Sequence, residues 1–133
     1  MLLGRSEGKV DEKGRITLPK LYAEILTADS GTTLFLTLGD QDELAIWPES
    51  AFLAKLAEYK SREATSDGAK EFRRFTSHAA QFELDKNNRI LLTERMRASA
   101  GIALKGDVVC IGASDRVEIW DPARFDAYLE GRG

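Results

Sequence analysis

The chain has one cysteine and one histidine in 133 residues, and each scarcity removes a class of function. A lone Cys110 cannot form an internal disulfide, and its place in the apolar run Val108-Val109-Cys110-Ile111 reads as a small buried strand residue rather than a reactive thiol. A lone His78 offers no His/Cys spacing for a metal ion and would have to carry nucleophilic catalysis alone, from a helix rich in charge. No metal and no cofactor is therefore expected. No apolar run is long enough to cross a bilayer, and only Leu2 and Leu3 precede the first charge, Arg5. A cytoplasmic location and no membrane contact are the default expectation. Basic residues are outnumbered 19 to 22, for a net charge of −3, which disfavours a general polyanion binder. Any contact with nucleic acid has to be local.

What the chain does have is a sentence said twice. Val10-Asp11-Glu12-Lys13-Gly14-Arg15-Ile16-Thr17-Leu18 returns 74 positions later as Leu84-Asp85-Lys86-Asn87-Asn88-Arg89-Ile90-Leu91-Leu92. A second echo, Gly39 to Pro48 against Gly112 to Pro122, keeps a Trp in each copy, Trp47 and Trp120. Two matched anchors in the same order indicate a duplicated unit.

Each copy reads as strand, turn, strand, short helix and hairpin. Ser6 to Val10 and Arg15 to Thr17 flank the turn Asp11 to Gly14, where glycine supplies a positive φ; Asn88, the next most tolerant residue, holds that place in the second copy. Pro19 suits a first helical position, with Leu18, Leu21, Tyr22 and Ile25 as the packed stripe; Thr93 serves as N-cap in the second copy, before Leu92, Met96 and Ala100. Thr33 to Leu38 with Glu43 to Trp47, and Val108 to Ile111 with Arg116 to Trp120, read as antiparallel hairpins. Helices follow each Trp, the last with Asp121 as N-cap, Pro122 in its first turn, Phe125, Tyr128 and Leu129 on one face and Gly131 as its stop. A further helix, Asp67 to Ala79, carries Phe72, Phe75 and Ala79 at helical spacing.

A unit of this size is too small to bury its own apolar surface. The expected fold class is α+β with a mainly β core: a pseudo-twofold barrel in which two tandem repeats exchange hairpins, with flanking helices. The expected division is residues 1–52 for the first repeat, 53–80 for a connecting helical hairpin and 81–133 for the second repeat, the two repeats sharing one core.

The repeated turn carries the chemistry. Asp11 and Asp85 can accept backbone N–H groups of the turn or pair with Arg15 and Arg89, holding each guanidinium in few orientations. A guanidinium fork suits phosphate, or O6 and N7 of guanine. Arg5, Lys9, Lys13 and Lys20 surround the first turn in sequence, and Lys86, Arg95 and Arg97 the second. The plain alternative is a pair of solvated loops with weak Asp–Arg pairs; duplication weighs against it, because a twofold barrel brings both turns to equivalent places. Trp47 and Trp120 read as core anchors rather than base-stacking platforms. An enzymatic alternative rests on Asp11 and Asp85 as a carboxylate dyad, but neither an Asp-Thr-Gly signature nor a phosphate-binding glycine loop accompanies them.

At Lys9-Val10-Asp11-Glu12-Lys13-Gly14-Arg15-Ile16-Thr17-Leu18-Pro19 and Leu84-Asp85-Lys86-Asn87-Asn88-Arg89-Ile90 the chain resembles the MraZ family of bacterial transcriptional regulators, and length, matched Trp residues and the intervening helical pair agree. The resemblance implies tandem AbrB-like swapped-hairpin units and no enzyme activity. It implies a homo-oligomeric ring, associated with the nucleoid, that binds direct repeats in double-stranded DNA upstream of the division and cell-wall gene cluster and represses it. DNA-contacting residues would be Arg15 foremost with Lys13, Arg5 and Lys9, and in the second copy Arg89, Lys86 and Asn87. Asp11, Gly14, Asp85 and Asn88 would shape the turns. Asn88 and Thr93 stand where the motif has Gly and Pro, so the second turn is expected to contribute less. The competing class is an antitoxin-like barrel whose helices cover a protein partner.

Overall fold

The duplication appears in three dimensions as an exchange of strands. The computed structural model describes residues 1–29 and 31–132. The first copy contains β1 (Arg5–Lys9), β2 (Arg15–Thr17), α1 (Lys20–Thr27), β3 (Thr33–Leu38) and β4 (Leu44–Pro48); two helices follow, α2 (Glu49–Ser61) and α3 (Ser66–His78). The second copy contains β5 (Ala80–Glu83), β6 (Arg89–Leu91), α4 (Glu94–Ala100), β7 (Asp107–Gly112), β8 (Val117–Trp120) and α5 (Pro122–Leu129).

Five antiparallel pairings build a six-stranded sheet in the order β1-β7-β8-β4-β3-β5, and β2 pairs with β6 in a separate ribbon. Strand β1 thus lies on the second copy's hairpin, with Arg5 opposite Ile111 and Lys9 opposite Asp107. Reciprocally, β5 lies on the first copy's hairpin, with Thr33 opposite Glu83. The hairpins meet each other through β4 and β8. Neither copy could form this sheet alone, which is the exchanged barrel expected from the duplication.

One apolar core fills the space between sheet and ribbon. Ile16 and Ile90, facing each other at the centre of the ribbon, join Leu34, Leu36, Leu44, Ile46, Val108, Val117 and Ile119 from alternate positions of the sheet strands. Burying a side chain of this size is worth roughly 1.5–3 kcal/mol each. Leu2 is in this core too, bridged to Ser114 through both backbone groups. A second cluster forms where α2 and α3 cover the other face of β3 and β4: Phe35 stacks on Phe52, and Tyr59 on Phe75, beside Trp47. Trp120 packs against Phe125 and Tyr128 of α5. Both tryptophans are buried anchors, with Trp47 Nε1 donating to Thr37 Oγ1 and Trp120 Nε1 to Glu118 Oε1.

Several local expectations are corrected. Leu21 is 63% exposed; the buried face of α1 is Tyr22, Ala23 and Leu26. The reason is phase. Pro19 has extended backbone (ψ 138°) and is the N-cap, so the helix begins at Lys20 and Leu18, buried at the strand end, does not set its stripe. Leu129 also faces outward, since the aromatic contacts to Trp120 come from Phe125 and Tyr128 alone. Helix α3 starts one residue earlier than read, capped by Thr65, whose Oγ1 accepts from Gly68 N. Helix α2 begins at Glu49, one residue after Pro48, which has extended backbone and serves as its N-cap.

Candidate nucleic-acid interface

The two repeated turns are built by the same bonds. In the first, Asp11 Oδ1 accepts from the backbone N–H groups of Lys13 and Arg15, each at 2.9 Å, while Oδ2 accepts from Arg15 Nε at 2.8 Å. In the second, Asp85 Oδ1 accepts from Asn87 N at 2.8 Å and Arg89 N at 2.9 Å, and Oδ2 from Arg89 Nε at 3.1 Å. One carboxylate therefore closes the turn and aims its arginine. The residue before each arginine is left-handed, Gly14 at φ 87° and Asn88 at φ 59°. These bonds favour the charged carboxyl: the Arg15 and Lys13 amides and the Arg15 side chain hold Asp11 down at about 2, and Arg89 and Asn87 lower Asp85 likewise.

Pairing of β2 with β6 then brings the two turns together. Arg15 lies opposite Leu91 and Thr17 opposite Arg89, and Leu18 N bonds Asn88 O just as Leu92 N bonds Gly14 O, both at 2.8 Å. Because Ile16 and Ile90 point into the core, the alternate residues Arg15, Thr17, Arg89 and Leu91 share the outer face. Diagonal neighbours across such a ribbon stand about 7–8 Å apart, so the arginines form a pair on one surface. Each spends only Nε on its aspartate; among the described residues, Nη1 and Nη2 of both make no hydrogen bond. That leaves two forks of unspent donors facing outward.

Other named residues are placed as follows. Lys13, Lys86 and Asn87 are exposed on the turns themselves. Lys9 adjoins the first turn at the end of β1 but is paired with Asp107 at 2.7 Å. Arg5 is at the other end of that strand, bound to Glu7 and Asp126 and 5.6 Å from the Phe125 ring centre; the structure does not bring it to the turn. The exchange also crosses the helices over. Arg97 of α4 packs against Gly14 and donates to Leu92 O, so it belongs to the first turn. Lys20 of α1 shares a cleft with Asp85, Lys86 and Asn88, so it belongs to the second. Sequence neighbourhood assigned each to the opposite turn. The outward pair Thr17 and Leu91 was also missed, although strand alternation from Ile16 and Ile90 puts them on the arginine face.

The arrangement is unlike a carboxylate dyad. Asp11 and Asp85 are each engaged by their own arginine, and both are lowered, whereas a shared-proton pair raises one carboxyl. Among the described residues no cluster of three or more His, Cys, Asp or Glu side chains could hold a metal ion. No helix in the described residues is long and apolar enough to cross a membrane.

Comparison with known proteins agrees with this doubled architecture. The MraZ protein family model, described as antitoxin-like, matches twice, over residues 1–75 and again over 75–132. The chain belongs to the MraZ family. Proteins named transcriptional regulator MraZ are similar along nearly the whole length: one from Nocardioides sp. is 35% identical over 130 residues, 97% of this chain and 86% of the relative. Another, from Corynebacterium diphtheriae, is 35% identical over 131 residues, 98% of this chain and 87% of the relative. A third, from Finegoldia magna, is 32% identical over 120 residues, covering 90% and 80%. MraZ membership makes transcriptional regulation the broad function.

Proposed function

We propose that this MraZ protein is a sequence-specific DNA-binding regulator whose β2–β6 ribbon and its two turns contact double-stranded DNA. On this reading it is a nucleoid-associated repressor acting at direct repeats upstream of the division and cell-wall gene cluster. The observation that carries the reading is the outward pair Arg15 and Arg89, each oriented by an aspartate and each with no hydrogen bond on Nη1 or Nη2 among the described residues. Few phosphate contacts per chain make a single contact weak, and a ring of copies presenting several ribbons to spaced repeats raises the effective concentration. Net acidity then limits binding to unrelated DNA.

Arg15→Ala tests this. Mobility shift on the protein's own upstream DNA should show binding weakened by roughly ten- to a hundred-fold, with the mass on gel filtration unchanged. Wild-type binding should also weaken with salt, log affinity falling against log salt by roughly 0.9 per neutralised phosphate. Unchanged binding by the variant would sink the assignment. The antitoxin-like description keeps a protein partner as the second reading, favoured if Arg15→Ala leaves DNA unaffected but abolishes capture of a defined partner.

A further inference from the structure

We infer that Leu91 is a specificity-determining residue of the ribbon, taking the 5-methyl group of a thymine in the major groove beside the bases met by Arg15 and Arg89. The inference rests on the DNA-binding reading above and goes beyond it to a base. Leu91 is 59% exposed, although both its chain neighbours, Ile90 and Leu92, are buried to 3% and 1% exposure. Strand alternation puts it on the outer face, directly opposite Arg15 and two positions from Arg89 on the same strand. An isolated exposed leucine is ordinary. One set between two arginines whose Nη1 and Nη2 have no partner among the described residues is a different matter, because the surface that covers it must also be anionic.

A two-stranded antiparallel ribbon is one of the elements the major groove admits, and the groove edge offers both partners this face needs. Guanine O6 and N7 accept from an arginine fork, and the thymine methyl is the one apolar group on a base edge. Leucine has no donor or acceptor, so the methyl is the only base feature it can recognise. The position related by the pseudo-twofold is Thr17, exposed opposite Arg89, which brings a hydroxyl as well as a methyl. The ribbon therefore presents Arg–Leu at one end and Arg–Thr at the other, and a near-symmetric element reads an asymmetric sequence.

The test uses the full-length protein and the tightest duplex it selects from random-sequence DNA, with each thymine replaced singly by uracil to remove only the methyl. At one position uracil should weaken wild-type binding by roughly three- to ten-fold, the scale of a single apolar contact. Leu91→Ala should weaken the thymine duplex by a similar factor and no longer distinguish the two bases there, while its thermal unfolding and solution mass match the wild type. The assignment is overturned if no uracil weakens the wild type, or if Leu91→Ala keeps the full preference. It is also overturned if that variant changes mass with the preference intact, since Leu91 would then be a contact between copies. A wild type that binds no duplex at all removes the DNA reading itself, a result distinct from the others.

Discussion

The two Asp-x-x-x-Arg turns have nearly the same bonds and different surroundings. Around the first lie Lys13, the packed Arg97 and Lys9, the last tied to Asp107. Around the second, the residue equivalent to Lys9 is Glu83, which accepts from Thr32 and Thr33 and borders a groove lined by both arginines. Lys20 is the second turn's exchanged basic residue, while the repeat places Ala23, in the same cleft, where the first turn has Arg97. Duplication has thus preserved the backbone device that aims an arginine and let the field around it diverge. Binding to an anion depends on that field, so the copies need not contribute equally even though their geometry does.

The largest expected effect follows from this inequality. Arg15→Ala and Arg89→Ala remove matched guanidinium groups, so a ribbon whose ends were equivalent would lose equal affinity. With Glu83 standing where the first turn has Lys9, Arg89→Ala should cost less than Arg15→Ala, about 1 kcal/mol against roughly 1.5–3. Titration of both variants with one duplex gives the comparison directly. Equal losses, or a larger loss at Arg89, would show that the turns act as one symmetric element and that the surrounding charges do not matter.

The hairpins at the other end of the sheet sharpen the contrast through stability. Glu43 and Arg116 occupy matching places before β4 and β8. Arg116 is satisfied by Asp115 and Glu118 and lies over the Trp47 ring, 5.1 Å from its centre. Glu43 folds across Gly39, where any side chain would collide with it, and is 9% exposed, with Oε2 lacking a hydrogen-bond partner among the described residues. Burial, reinforced by Glu118 and only partly opposed by the Gln41 and Glu43 amides, pushes its carboxyl up to about 7. The folded state then holds a proton that the unfolded chain releases near 4.5, so this group's contribution falls as pH rises from about 4.5 to about 7. Glu43→Gln should remove that slope, gaining roughly 1–3 kcal/mol relative to wild type between pH 5 and pH 8 in urea unfolding. A difference that does not change with pH would contradict the buried-acid account.

Much of this was legible in the chain, because a repeat constrains pairing twice over. The turns, the hairpins, the tryptophan anchors and the exchange of strands all follow from matched residues and from units too small to fold alone. Helix–turn partnership was not legible. Arg97 and Lys20 are neighbours in sequence of the turns they do not touch, since the exchange that builds the barrel also carries each helix across the twofold. Leu21 was misread for a local reason: a stripe counted from Leu18 assumes a helix already under way, and Pro19 delays its start. Arg5 was misplaced because proximity in sequence along a strand is distance in space, and its end of β1 meets α5.

The smallest expected effect probes the backbone of the turns themselves. Gly14 and Asn88 share a left-handed conformation, but the space beside them differs. A Cβ at Gly14 would meet Leu92 O at 3.0 Å, the carbonyl of the same stretch of chain that anchors the ribbon, with Arg97 Nε at 3.4 Å. Asn88 already carries a side chain and is partly exposed. Importing the second copy's solution into the first, Gly14→Asn, should therefore destabilise the protein by about 1–2 kcal/mol, since the clash is with backbone that cannot rotate away. The reverse exchange, Asn88→Gly, relieves left-handed strain and increases unfolded-state freedom, two small terms of opposite sign, and should stay within about 1 kcal/mol of wild type. Thermal or urea unfolding of the two variants separates these cases. Equal costs at both sites would mean that conformation alone governs the turn, and that the packing of α4 across the first copy, which makes its surroundings distinct, has no energetic weight.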